Sequence, residues 1–209
     1  SRARKMIYLS HKIYTADELA VLHRDADTFL GEAELAEFAR FRVPKRKDEF
    51  LTSRAAIKEL VFSCSPQVGH LRRSRMEIFK MPSGVPYLSA DGQRLPGWIS
   101  LSHSAGHVFA AYSPDDIRFG VDIEHIETRA DEFIADYFTL REREFLLGLN
   151  AVDRPFFATL AWSLKESVLK TAGTGLGIDT RSLEISFPLD INMDGGWKPA
   201  GLAGSRLNM

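Results

Sequence analysis

The amino-acid sequence predicts an α+β protein made of two similarly sized halves, residues 1–114 and 115–209. Three observations carry this. Helical periodicity dominates the chain up to Cys64, alternating segments follow as far as Tyr112, and a strand–helices–strand order then begins after Pro114. In the first half, Asp17 to Leu30 reads as a helix with Leu19, Leu22 and Phe29 near one face, and Glu34 to Phe41 as a shorter one. Pro44 stands where a helix starts, and Phe50, Leu51, Ile57, Leu60, Val61 and Cys64 continue it at helical spacing until Ser65-Pro66. Met76–Met81 alternates as a strand, Pro82-Ser-Gly84 turns, and Trp98–Ser102 and His107–Tyr112 are two more strands around Ala105-Gly106.

In the second half, Ser113-Pro-Asp-Asp116 is a turn at the junction and Phe119–Glu124 a strand. Asp131–Phe138 is helical, and Thr139-Leu-Arg-Glu142 has the spacing of a capping box. Pro155–Ala172 is a longer helix stopped by Gly173. Leu183–Phe187 alternates as a strand, Gly195-Gly196 is a turn, and Trp197 opens a last strand. No internal repeat is visible in the residue identities.

Composition excludes several classes. With 209 residues, 44% hydrophobic and 11% aromatic, the chain has material for a core and is not intrinsically disordered. No stretch has the ~18 consecutive apolar residues of a membrane span, and the N-terminus has no signal-peptide core. A single cysteine, Cys64, leaves no internal disulfide and no cysteine-rich zinc site, which suits a cytoplasmic protein. A net charge of −1 argues against a general nucleic-acid binder.

Four segments carry chemistry. In Val121-Asp-Ile-Glu124, strand geometry puts Asp122 and Glu124 on one side, where a cation relieves their repulsion. Oxygen-only ligands suit Mg²⁺ or Mn²⁺. The plain alternative is a solvated strand face. In Trp162-Ser-Leu-Lys-Glu-Ser-Val-Leu-Lys170, helical geometry groups Trp162, Lys165, Glu166 and Lys170 opposite Leu160, Ala161, Leu164 and Val168. The lysines then face phosphates, and Glu166 joins a metal or takes a proton. The plain alternative is a Glu166–Lys170 surface pair.

Ser100-Leu-Ser-His-Ser104 offers hydroxyls and an imidazole to an anion, or is simply a strand end with a satisfied histidine. The basic run Arg40–Lys47, with Arg54 and Lys58, is either a charged helix-entry loop or a funnel for a polyanion. Gly173-Thr-Gly-Leu-Gly177 follows a helix instead of opening one, so it reads as a helix stop and not a phosphate loop.

In order, Gly84-Val-Pro-Tyr-Leu88, Ile99-Ser-Leu-Ser-His-Ser104, Gly120-Val-Asp-Ile-Glu124 and Trp162–Lys170 resemble the 4′-phosphopantetheinyl transferases of the Sfp type, from about Arg40 to Leu176. The resemblance implies two α+β halves related by a pseudo-twofold with a ligand cleft between them. It implies transfer of the phosphopantetheine arm of coenzyme A to a serine of an apo carrier protein, with release of adenosine 3′,5′-bisphosphate and a requirement for Mg²⁺. The metal site is expected in the second half, 115–209. Asp122, Glu124 and Glu166 match the metal carboxylates. Ser102 and His103 match phosphate contacts, Lys165 and Lys170 match pyrophosphate-facing lysines, and Glu166 matches the general base. Lys170 is expected to stabilise the leaving phosphate, and Arg54 to contribute to coenzyme A binding.

One departure is Val85, which stands where the family often has a basic residue, and another is a short segment after Phe187. The expected partners are coenzyme A and an acyl, polyketide or nonribosomal-peptide carrier, with neither nucleic acid nor membrane, and a monomer suffices. Two other readings compete. One is a non-catalytic coenzyme A or carrier-binding module of the same fold. The other is a hydrolase using Ser102 or Ser104 with His103, which is weakened because adjacent strand residues face opposite ways.

Overall fold

A computed structural model describes residues 5–173 and 178–186. Contacts divide the chain into two compact units, each taking two stretches of chain: residues 1–125 with 166–175, and 126–165 with 176–209. The halves expected from the sequence divide by chain order, whereas these units divide by packing. No helix among the described residues is long and apolar enough to cross a membrane.

The first unit is α+β. Its elements are β1 (Tyr8–Ile13), α1 (Ala16–Arg24), α2 (Ala26–Phe29), α3 (Glu32–Arg40), α4 (Pro44–Cys64), β2 (Met76–Lys80), β3 (Pro86–Ala90), β4 (Gln93–Arg94), β5 (Trp98–Ser104) and β6 (His107–Ser113). Strands β1, β6 and β5 form one antiparallel sheet in that order, and β2, β3 and β4 another. Helix α4 packs on β1, β5 and β6. Its Ile57 and Val61 share a core with Met76, Ile78, Leu88, Ile99, Val108 and Tyr112. A second cluster joins Leu30, Phe29, Phe50 and Leu51.

The second unit contains α5 (Asp131–Tyr137), α6 (Leu140–Gly148) and the first turns of α7 (Arg154–Ala172), followed by a 3₁₀ turn at Thr180–Ser182. Its core is Ile134, Phe138, Leu146, Ala158, Ala161 and Trp162. Phe133 and Tyr137 meet the Trp162 ring edge-on, with centroids 5.0 and 5.1 Å away. Thr139 caps α6 with the reciprocal Glu142 bond that the sequence predicts.

One buried arrangement occurs in each unit. Glu34, the third residue of α3, is 1% exposed. It accepts from the Gly31 N–H, from Lys58 Nζ of α4 at 2.5 Å, and from the Ile78 N–H. Lys58 also donates to the carbonyls of Phe29 and Arg73. Glu142, the third residue of α6, accepts from the Thr139 N–H, from Lys165 Nζ of α7 at 2.9 Å, and from the Ile185 N–H. Lys165 donates to the carbonyls of Thr180 and Leu183. The glutamate and the bonded isoleucine lie 44 residues apart in one unit and 43 in the other. Both lysines precede a glutamate, Glu59 and Glu166. A repeat absent from the residue identities is therefore present in the buried ion pairs. Burial pushes both ammoniums below the usual lysine range, against the pull of their glutamates.

Several expectations change. Strand β1 escapes sequence reading because Leu9 and Ile13 are exposed (59% and 61%), so its apolar residues do not mark a buried face. Strand β3 begins at a proline, which conceals it. Asp17–Leu30 is two helices, because Asp25 leaves helical geometry between them. Residues 119–124 form no strand, since side chains and not a neighbouring backbone bond their polar groups. Residues 183–186 likewise lie outside any strand, and the Ile185 N–H goes to the Glu142 carboxylate. Phe187, the Gly195-Gly196 turn and the Trp197 strand lie outside the described residues.

Removing one member of a buried ion pair leaves the other uncompensated. Glu34→Ala and Glu142→Ala are each expected to destabilise by about 3–5 kcal/mol, measured by denaturant unfolding.

Candidate functional site

Strand β5 sets the site. Its even-numbered residues share a face, and each bonds to the segment that follows β6. Trp98 Nε1 donates to the Phe119 carbonyl at 2.7 Å. Ser100 Oγ accepts from the Val121 N–H at 3.0 Å. Ser102 Oγ donates to Asp122 Oδ1 at 2.7 Å, and Ser104 Oγ accepts from the His125 N–H at 3.2 Å. Ser-x-Ser-x-Ser on a strand thus becomes a row of hydroxyls that holds a neighbouring segment. The sequence leaves these serines open to an anion or to a plain strand end; here their hydroxyls bond the neighbouring segment.

Helix α7 closes the other side of this segment. Gly120 lies so near that a methyl group would run into the Ser167 carbonyl and the Lys170 side chain. Lys170 Nζ donates to Asp122 Oδ1 at 2.6 Å and to the Val121 carbonyl at 3.2 Å. Gly173, with φ of 71°, ends the helix, and a side chain there would meet Val85.

Asp122 is therefore held through one oxygen. Its side chain is 3% exposed, with Oδ1 taking both Ser102 and Lys170, while buried Oδ2 has no hydrogen-bond partner. Glu166 Oε1 is also buried and without a hydrogen-bond partner. Burial raises the Glu166 carboxyl above the usual range. Lys170 opposes this, and Asp122 and Glu124 reinforce it. Asp122 and Glu124 thus both act electrostatically on Glu166. Among the described residues, no three His, Cys, Asp or Glu side chains are grouped to hold a metal by themselves. The donor chemistry nevertheless fits a hard cation, because two carboxylate oxygens are desolvated without protein donors.

A cavity of about 330 Å³ adjoins this cluster, bounded by Arg54, Lys80, Val85, His103 and Lys170 among polar and apolar walls. Its size and mixed lining suit a small organic anion. His103 points away from Ser102, as strand alternation predicts, and its Nδ1 lies 3.7 Å from Glu49 Oε1. Burial pushes the imidazole below its usual value. Glu49 opposes this, while Lys170, Arg46 and Lys45 add to it. The basic run thus acts on His103 through the charges of Lys45 and Arg46, both of which also pair with Glu49.

Two expected ligand contacts have other partners. Lys165 is fully buried and bonded to Glu142, Thr180 and Leu183, so it does not share a face with Glu166 and Lys170. The reason is helical geometry: at about 100° per residue, Lys165 and Lys170 point ~140° apart. Trp162 is a core residue, packed with Ile134, Phe138, Leu146, Ala158 and Ala161. Arg54 borders the cavity, but its guanidinium pairs with Glu34 at 3.2 Å and Glu37 at 3.7 Å and stacks over Phe50. Val85 is buried against Gly173 and contributes an apolar wall.

The sequence profile of the 4′-phosphopantetheinyl transferase superfamily matches residues 118–197. The holo-[acyl-carrier-protein] synthase of Streptococcus sanguinis is 42% identical over 89 residues, 42% of this chain and 73% of that protein. The 4′-phosphopantetheinyl transferase pptA of Paxillus involutus is 25% identical over 212 residues, 88% of this chain and 76% of that protein. A protein of Synechocystis sp. is 26% identical over 152 residues, 70% of this chain but only 58% of its own length. The chain belongs to the 4′-phosphopantetheinyl transferase superfamily.

Because Gly120 lets α7 approach, Gly120→Ala is expected to destabilise by about 1–3 kcal/mol through overpacking. Thermal unfolding of the purified variant measures this.

Proposed function

We propose that this protein transfers the 4′-phosphopantetheine arm of coenzyme A to a serine of an apo carrier protein. One observation carries the reading: Asp122 and Glu166 have buried carboxylate oxygens without hydrogen-bond partners, and Lys170, which bonds Asp122, borders a cavity together with Lys80 and His103. Carboxylates beside cations suit a substrate that brings phosphates with a divalent ion. The names of the Streptococcus and Paxillus relatives support the same activity. The Sfp type, a cytoplasmic monomer and the division at residue 114 belong to this proposal.

In this mechanism the carrier serine oxygen bonds to the β-phosphorus of coenzyme A. The bond from that phosphorus to the bridging oxygen breaks, and adenosine 3′,5′-bisphosphate leaves. Glu166 takes the hydroxyl proton, a role favoured by a carboxyl held above its ordinary range. Lys170 donates two hydrogen bonds within the protein and retains capacity for a phosphate oxygen on the leaving side. His103 borders the cavity, feels the charges of Lys45 and Arg46, and would face a phosphate there. Asp122, Glu124 and Glu166 would hold Mg²⁺ or Mn²⁺. That ion supplies neutralisation of charge on the phosphates.

Intact mass of an apo acyl or peptidyl carrier, after incubation with the protein, coenzyme A and Mg²⁺, tests the reading. A gain of one phosphopantetheine that EDTA abolishes is expected. Folded protein giving no gain with either carrier class would instead support a binding module without transfer. Asp122→Asn is expected to reduce transfer to the enzyme-free level while its melting curve stays cooperative.

A further inference from the structure

We propose that Ser102 is a positioning residue for Asp122, fixing which carboxylate oxygen is offered to a divalent cation. The inference rests on the metal role given to Asp122 above. Ser102 is 8% exposed, and its hydroxyl hydrogen goes to Asp122 Oδ1 at 2.7 Å. Lys170 donates to the same oxygen at 2.6 Å. Two donors converge on Oδ1 and none on Oδ2, although both oxygens belong to a side chain that is 3% exposed. A carboxylate free to rotate would share its donors between its oxygens. Here the rotation is fixed from two directions, a strand hydroxyl and a helix ammonium.

The two donors differ in what they do. Lys170 brings charge, which lowers the affinity of the carboxylate for a second cation while holding it in place. Ser102 brings a neutral dipole, which orients the carboxylate with little loss of its charge. Its backbone is fixed by pairing with Phe109 across β6, and the bonds of Ser100 and Ser104 fix the segment on either side of Asp122. The hydroxyl therefore cannot be replaced by movement of the strand. Because the donor points into the protein, Ser102 acts on the cation through Asp122 and not on a phosphate directly.

Groups that orient metal ligands typically change affinity by about 10–100-fold when removed. Free Mn²⁺, followed by its electron paramagnetic resonance signal during titration into the full chain, measures the affinity. Ser102→Ala is expected to weaken Mn²⁺ binding at least about tenfold, and Ser102→Thr, which keeps the hydroxyl, to restore it. Melting curves in EDTA supply a second readout. A merely structural serine would lower the melting temperature of Ser102→Ala without changing Mn²⁺ affinity, and that result overturns the proposal. Equal affinity with an unchanged melting temperature overturns it too. Wild-type protein that binds no Mn²⁺ would overturn the metal reading of Asp122 itself, and the role of Ser102 with it.

Discussion

The arrangement of the candidate site depends on how residues 119–125 are held. These residues have no backbone ladder, yet they carry Asp122 and Glu124. An indole N–H and three serine hydroxyls on one face of β5 take the place of a strand partner. Lys170 and the bare backbone of Gly120 fix the opposite side. A backbone ladder would satisfy the segment's polar groups but leave the Asp122 carboxylate free to turn. Side-chain bonds do both, because one of them reaches the carboxylate.

The same economy governs the buried ion pairs. Glu34 and Glu142 each close a helix N-terminus, neutralise a lysine from the next long helix and bond a distant backbone N–H. Each lysine then donates to two backbone carbonyls, Phe29 and Arg73 for Lys58 and Thr180 and Leu183 for Lys165. Such a cluster adds little net stability over an apolar one but is severely damaged by losing a member. In the second unit it also anchors the part of α7 that lies there, through Lys165.

Much of the fold was legible in the sequence, where a single physical cause dominates. Pro44 and Ser65-Pro66 bound α4 as expected, Thr139 and Glu142 cap α6, and Gly173 stops α7. The exposed strand β1 and the proline-led β3 lack a local signal, because partners elsewhere in the chain stabilise them. At the candidate site, Asp122 and Lys170 are brought together and Glu166 lies within their electrostatic reach, although residues 119–124 form no strand. What the sequence left hidden was direction. Nothing local shows that Lys165 turns to Glu142, that Arg54 turns to Glu34, or that the Ser102 hydroxyl points to a carboxylate. The repeat is invisible in the residue identities for a related reason. It is conserved in three interacting groups per unit and not in runs of identical residues.

The central claim is that Asp122 is oriented through Oδ1 so that Oδ2 receives a divalent cation. Crystals grown with Mn²⁺ and coenzyme A, with anomalous scattering used to locate the ion, test this directly. The account predicts a single Mn²⁺ peak within about 2.0–2.6 Å of Asp122 Oδ2, with Ser102 and Lys170 still bonded to Oδ1. A peak coordinated by Oδ1 instead, or an ion held away from Asp122 altogether, would contradict it.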